Sequence, residues 1–329
     1  MQYPLVSVIV PNWNGESLLR ECLESLGKLK YPNYEIIVVD NGSTDNSIEL
    51  IKKSFRETKI IVNPTNLGFA GACNVGIKVA KGDIIALFNN DAFPEPNWLS
   101  KLVSTLLEEE KIAIAGGPIF YAQPNEILWS AGMRIDGITG TTWRVGHSKR
   151  LSQVSGVNDL DYLSGCAIIF KKNVIDEIGV FDETFFLYGE EVDWTFRAIR
   201  FGYKFKFNRS ASVWHKASFT RRKTPSKGYY YFIRSRFRNY FINYPLRYLI
   251  TSLFFQIVIY PVAEVLIFKT PSNYILARFE AFAWNLAHLG ETMKKRSKAN
   301  SIGQLNVKNR FKEFMKVLLD DRTSKTYDF

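Results

Sequence analysis

Short apolar, β-branched runs alternate along the first half of the chain with segments whose apolar residues recur every three or four positions. Val6, Val8, Ile9 and Val10 form one such run, stopped by Pro11. Leu18, Leu19, Cys22, Leu23 and Leu26 then follow a helical period and predict a helix over residues 14–26. The same reading predicts strands over 34–39, 59–62, 83–88, 112–115 and 166–170. It predicts helices over 68–79, 97–109 and 173–178, and one toward residue 55 capped by Ser43 or Thr44. Residues 116–157 loosen into short strands and turns, an inserted antiparallel segment that includes Trp129 and Trp143. Further short strands at 203–207 and 211–213 lead to Trp214 and His215. Strands separated by helices at this spacing predict an α/β fold, a mostly parallel sheet flanked by helices on both faces.

In open sheets of this kind ligands bind beyond the carboxyl ends of the strands. Polar residues gather there: Asn12 and Asn14, Asp40 and Asn41, Asn66, and Asn89, Asn90 and Asp91. Asn, Asp and Gly also mark ordinary turns, which accounts for Gly42 more readily than for acids and amides closing four successive strands. A shared site is the better reading. Asp40 can accept from a nucleobase or ribose, and the helix after it suits phosphate oxygens. Asp91 suits a divalent cation bridging a diphosphate, since such ions take few protein ligands and prefer oxygen. His215 is a second candidate ligand.

The densest chemistry lies at Glu190, Glu191 and Asp193, three acids within four residues, wrapped by Phe185, Phe186, Tyr188 and Trp194. Acids near apolar rings resist ionisation, which moves a carboxylate toward the range useful for acid–base work. They also answer the positive end of a helix that continues to Arg197 and Arg200. Asp193 fits two roles, positioning a substrate or pairing with Arg197 four residues on.

Charge and composition add a partner class. The 329 residues carry a net charge of +11 and are 46% hydrophobic, enough for a large core. Arg221, Arg222, Lys223, Lys227, Arg234, Arg236 and Arg238 follow one another with no acid between, and Lys294, Lys295, Arg296 and Lys298 form a second run. Such patches favour anionic partners. Cys22, Cys73 and Cys166 fit neither a disulfide framework nor zinc spacing, so the cysteines are expected free in a reducing compartment. The N-terminus lacks a secretory pattern, and a cytoplasmic location is expected.

Taken in order, residues 6–11, Val38 to Asp45, the stretch Asn66, Leu67, Gly68, Phe69 and Ala70, then Asn89, Asn90 and Asp91, then Phe181, Asp182 and Glu183, and finally Glu190 to Trp194, resemble family-2 glycosyltransferases, specifically a rhamnosyltransferase-like group. The resemblance covers about residues 4–220 and rests on the combination. It implies a GT-A fold, a nucleotide-diphosphate sugar donor, a divalent cation (Mn2+ or Mg2+) and inversion at the anomeric carbon. Carried onto this sequence, it implies that Pro11, Asp40, Asn66 and Asn74 line the nucleoside pocket, with Asn14, Ser43, Gly68 and Asn90 beside them. Asp91 matches the last acid of the metal motif, and His215 a histidine that completes the metal site. Glu191 matches the general base, with Glu190 beside it, and Asp193 and Trp194 would position the acceptor. Two departures stand out: Asn89 replaces the first acid of the metal motif, and the base is Glu where Asp is usual.

After residue 220 the character changes, and an α-helical extension over 221–329 is expected to follow a catalytic domain over 1–220. Basic residues interleaved with Tyr229, Tyr230, Tyr231 and Phe232 suit single-stranded nucleic acid or the headgroup level of a membrane. Residues 248–268, about 31 Å long as a helix, favour the membrane. Glu264, Gln256 and Pro261 make a plain span awkward, so shallow insertion, a span and a buried helix all remain open. Helices over 275–293 and 307–319, with a loop at 294–300, are expected beyond. The acceptor is expected to be a saccharide or lipid-linked saccharide, met at the cytoplasmic face by a peripheral or monotopic protein, with no nucleic acid involved. The rival readings are a sugar-phosphate nucleotidyltransferase, which lacks its basic Gly-rich loop here, and a binding protein with a decayed site.

Overall fold

In the computed structural model of the chain, residues 3–122, 126–217, 225–267 and 269–321 are described. Arg221, Arg222, Lys223 and Phe268 lie outside them. The first half follows the expected alternation: β1 (Val6–Asn12), α1 (Glu16–Leu26), β2 (Tyr34–Asp40), α2 (Ser47–Ser54), β3 (Lys59–Val62), α3 (Gly68–Val79) and β4 (Ile84–Phe88). Next come β5 (Ala92–Pro94), α4 (Trp98–Leu106), β6 (Ile112–Gly116), β7 (Ile119–Tyr121), β8 (Leu128–Ser130), β9 (Met133–Ile135) and β10 (Thr142–Arg144). The remaining elements of this part are β11 (Ala167–Lys171), α5 (Val174–Ile178), α6 (Glu190–Arg200), β12 (Lys204–Phe207) and β13 (Val213–His215).

Seven strands form one sheet in the order β12-β6-β11-β4-β1-β2-β3. All neighbours are parallel except β11, which runs against β4 and β6, so the sheet is mixed. Alternate side chains of β1 enter different cores, as period two requires. Val6, Val8 and Val10 join Leu19 and Leu23 of α1 with Trp98 and Leu102 of α4. Ile9 joins Ala70, Cys73 and Ile77 of α3 with Trp194 and Ala198 of α6. Each large apolar side chain buried this way contributes about 1.5–3 kcal/mol. The loosened segment supplies a hairpin of β9 and β10 and a small sheet in the order β5-β13-β7-β8. All three cysteines are free and buried.

Among the described residues five further helices follow: α7 (Pro225–Asn243), α8 (Leu246–Leu266, with a π-turn at Phe255–Ile259), α9 (Ser272–Ala287), α10 (Leu289–Ile302) and α11 (Phe311–Asp321). The π-turn precedes Pro261, whose missing N–H and ring disturb the α-helical ladder. The extension shares a core with the first part, in which Ile233, Phe237 and Phe241 of α7 meet Val192 and Phe196 of α6.

Two expectations are corrected. The loop at 294–300 is helix. Thr292 and Ala299 are buried, and the Arg296 guanidinium donates to the carbonyls of Phe241 and Tyr244. The break falls instead at His288, whose ring stacks on Trp284 at 3.9 Å. Nor do Ser43 and Thr44 cap α2. Ser43 is bound to Asp40, and Asp45 accepts from the backbone and hydroxyl of Ser47.

Candidate active site

A cavity of about 1130 Å³ opens over the carboxyl ends of the strands and runs on beneath the C-terminal helices. Pro11, Asn66, Gly68, Asn90, Asp91 and His215 line its strand end, and Glu190 and Glu191 line it further in. Asp40, Ser43, Asn14 and Asn74 do not.

Asp40 is fully buried and fixes the turn beneath the cavity. Its carboxylate accepts from Asn12 at 2.9 Å and from the backbone and hydroxyl of Ser43 at 2.8 and 2.6 Å. Asn12 passes this order on by accepting from Asn90 at 2.7 Å. Thus Asp40 reaches the site through Asn12 and Asn90. Asn14 and Asp45 border a separate, smaller hollow. Asn74 braces the loop before α6, bonding the backbone of Phe181 in both directions and the carboxylate of Glu183.

Asp91 and His215 meet through strand pairing. β13 runs antiparallel to β5 with His215 opposite Ala92, which places the imidazole beside Asp91. Nε2 lies 2.9 Å from the Asp91 carboxylate, and both residues are buried. Burial alone would lower the His215 pKa, but the Cys166 sulfur and the Asp91 carboxylate outweigh it and raise it to about 10. Nδ1 of His215 is buried without a hydrogen-bond partner among the described residues. A carboxylate and an imidazole, whose proton a metal would displace, fit a borderline cation such as Mn2+ better than Mg2+. No group of three or more His, Cys, Asp or Glu among the described residues encloses a metal. Further ligands would therefore come from substrate and water.

The acids sit on a strained loop. Phe186 has φ 64 and ψ −56, and Leu187 N–H donates to the Phe185 carbonyl at 2.7 Å, a γ-turn of the rare positive-φ kind. Tyr188 (φ 66) and Gly189 (φ 80) are also left-handed. Such a loop persists only when its surroundings over-determine it, and here they do. Phe69 N–H donates to the Phe186 carbonyl at 2.6 Å. From α7, Arg234 donates to the carbonyls of Thr184 and Phe185, Ser235 to that of Leu187, and Asn239 to that of Gly189. Lys295 of α10 binds Asp182 at 2.6 Å.

Glu190 and Glu191 open α6 from this loop. Glu190 is 4% exposed, and burial, then the neighbouring Glu191, push its carboxyl well up. Burial also raises Glu191, against the amides of Glu191, Gly189 and Val192 at the helix N-terminus. Glu191 is the less buried of the two, and Oε2 of each has no partner among the described residues.

Asp193 and Trp194 do not face the cavity, contrary to the acceptor role expected of them. Asp193 pairs with Arg197 at 2.9 Å and accepts from Asn243 at 3.1 Å. Trp194 is 1% exposed, packed on Phe170 and Phe181, and its indole donates to the Gly179 carbonyl. One helical turn carries both past the cavity wall. Several lining residues were given no role by the sequence: Trp13, Tyr162, Arg144 and Cys166. Tyr162 is brought in by its bridge to Met133.

The sequence pattern that defines glycosyl transferase family 2 matches residues 7–179, more than half of the chain. The chain belongs to that family. As a family-2 glycosyltransferase it is 29% identical over 219 residues to glycosyltransferase AglE of Haloferax volcanii, a match covering 65% of this chain and 67% of AglE. It is 29% identical over 214 residues to a Methanococcus voltae dolichyl N-acetylglucosaminyl phosphate diacetamido-dideoxyglucuronosyltransferase, covering 62% of this chain and 64% of that protein. The chain thus spans about two thirds of the length of these relatives. A mannosyltransferase from Pyrobaculum calidifontis, solved with GDP-mannose and Mn2+, superposes with a TM-score of 0.54 at 16% identity, covering 92% of this chain and 86% of that one. The mixed sheet, its flanking helices and the helical C-terminal region make this a GT-A-like fold.

Proposed function

We propose that this family-2 glycosyltransferase moves a sugar from a nucleotide-diphosphate donor to an acceptor hydroxyl, with inversion, at the cytoplasmic face of a membrane. The observation that carries the reading is a single cavity that joins the Asp91–His215 pair to the partner-free carboxylate oxygen of Glu191. Pro11, Asn66 and Gly68 border the strand end, where the nucleoside would sit. Asp91 and His215 would hold Mn2+, which when bound offsets charge growing on the departing diphosphate. Glu191 accepts the proton of the attacking hydroxyl, which must approach opposite the diphosphate. Its raised pKa suits it to that transfer. Asn89 shows what the missing acid costs: its backbone binds Cys166 and Ala92, and the motif offers the cation one carboxylate.

The test is release of nucleotide from a panel of UDP-, GDP- and dTDP-sugars. Slow hydrolysis of one donor is expected with Mn2+, lost in EDTA and reduced at least about tenfold in Asp91→Asn. Turnover that ignores both EDTA and Asp91→Asn would remove the metal assignment, and no turnover of any donor would remove the enzyme reading.

The membrane reading rests on α8. Its polar side chains point inward, with Ser252, Gln256 and Glu264 at most 1% exposed. Its apolar ones point out: Leu246, Ile250, Phe254, Val258 and Val262 are 45–64% exposed. This inversion supports a lipid-facing helix over a buried one, since only 22% of the apolar window is buried. It fits a helix lying in the interface with its apolar side in lipid. Co-sedimentation of the full chain with phosphatidylglycerol vesicles is expected, and Phe254→Asp with Val258→Asp should lower it at least about tenfold. Equal sedimentation of the double variant would refute the reading.

A further inference from the structure

The same cavity is lined by Tyr162, Arg236, Tyr240, Tyr244 and Tyr260. Arg236 and Tyr240 share one face of α7, four residues apart, and Tyr244 follows just past the end of the helix. The other arginines of α7 are engaged. Arg234 donates to two backbone carbonyls, and Arg238 pairs with Glu291 at 2.9 Å and lies 3.7 Å from Asp182. Arg278, which also lines the cavity, is satisfied by Glu264, Gln256 and Tyr229.

Arg236 differs from all of these. It is partly buried and lies 4.5 Å from the Phe232 ring centroid, but among the described residues it makes no hydrogen bond and no ion pair. The carboxylates that line the cavity do not pair with it: Glu264 is bound to Arg278, Glu313 to Arg134 and Asp91 to His215, and Glu190 and Glu191 lie beyond ion-pair distance. Arg236 shares the cavity lining with Tyr162, Tyr229, Tyr240, Tyr244 and Tyr260. A half-buried guanidinium without a counter-charge is costly to hold. Its planar fork of donors matches phosphate oxygens, and neighbouring phenols add further donors.

We propose that Arg236, lining the cavity with these tyrosines, binds a phosphate group of the acceptor. This rests on the glycosyltransferase reading and narrows it: the acceptor is a phosphate ester rather than a neutral saccharide. The phosphate would sit near Tyr260, on the cavity-facing side of α8. Both a lipid phosphate and a soluble phosphate ester carry the required group.

Isothermal titration on the full chain in EDTA, with farnesyl phosphate and with inorganic phosphate as probes, tests this. Both are expected to bind the unaltered protein, with affinity at least tenfold weaker in Arg236→Gln, less affected in Arg236→Lys and unchanged in Asp91→Asn. Tighter binding of farnesyl phosphate assigns the site to a lipid phosphate, and equal binding assigns it to a soluble one. Arg236→Gln should not lower the Tm, because it removes an uncompensated charge. Unchanged probe affinity in Arg236→Gln, loss in Asp91→Asn instead, no binding of either probe, or a lowered Tm would overturn the assignment. Binding of nucleoside diphosphate with Mn2+ separates the two readings. If it persists while Arg236 proves irrelevant, the phosphate site falls and the transferase stands; if it is absent from the unaltered protein, the transferase reading falls.

Discussion

Glu191→Gln is expected to lower glycosyl transfer by about 10²-fold or more while nucleotide binding with Mn2+ stays within twofold. Gln keeps the size and the hydrogen bonds of the side chain but cannot take the proton. The unaltered protein should also show a rate that falls as pH drops through the raised Glu191 pKa, above the ordinary value of 4.5. The active form is the carboxylate, so the rate climbs with pH and levels off above that pKa, and this limb should vanish in Glu191→Gln. Stability runs the other way. A carboxyl that holds its proton more tightly when folded stabilises the fold below about pH 4.3 and loses that contribution as pH rises through the folded value. The variant should therefore gain stability over the unaltered protein toward neutral pH. Full transfer by Glu191→Gln would exclude it as the base.

Gly68→Ala should lose both stability and activity, and the cause is steric. Gly68 has φ +76, and a Cβ there would fall 2.2 Å from the Phe186 carbonyl oxygen and 2.7 Å from its ring. The obstacle is largely backbone, held by Phe69 N–H and braced by α7, so it cannot swing aside cheaply. A left-handed alanine and the forced repacking together should cost on the order of 3 kcal/mol. Chemical denaturation reads the stability loss. Because the obstructed turn carries Glu190 and Glu191, transfer should fall further than the folded fraction does. A variant with unaltered unfolding midpoint and rate would mean that the loop is not set by this contact.

Much of the sheet and of the donor end was legible because both rest on local rules. Period-two and helical spacing placed β1 to β4 and α1, whose five expected apolar positions are the five buried ones. Polar residues at strand ends pointed to one site, and Asp91 and His215 do meet there. Sequence could not show that Asp40 works through Asn12 and Asn90, because a carboxylate closing a strand looks the same whether it meets ligand or turn. The resemblance gave Glu191 and Asp193 different roles, but spacing alone could not choose between the two roles of Asp193, which two residues along the helix turn from the cavity toward Arg197. Trp194 reads as an acceptor platform because aromatic residues suit sugars, yet it is packed on Phe170 and Phe181 with its indole bound to the Gly179 carbonyl. The basic run of α7 was read as one surface charge, whereas the helix divides it. Arg234 and Arg238 face the acid loop, and Arg236 faces the chamber.

The fastening of that loop also carries a consequence for biosynthesis. The sheet and its flanking helices are complete once residue 215 has been made, yet the γ-turn beneath Glu190 is gripped by Arg234, Ser235 and Asn239 and, through Asp182, by Lys295. A nascent chain can therefore have the strand end of the cavity finished on the ribosome before Glu190 and Glu191 are locked in place. The last clamp arrives with α10, after α8 has emerged and had its first chance to meet lipid. Synthesis order thus sets the chemistry last, after the chain has had the opportunity to reach the surface where its acceptor would be found.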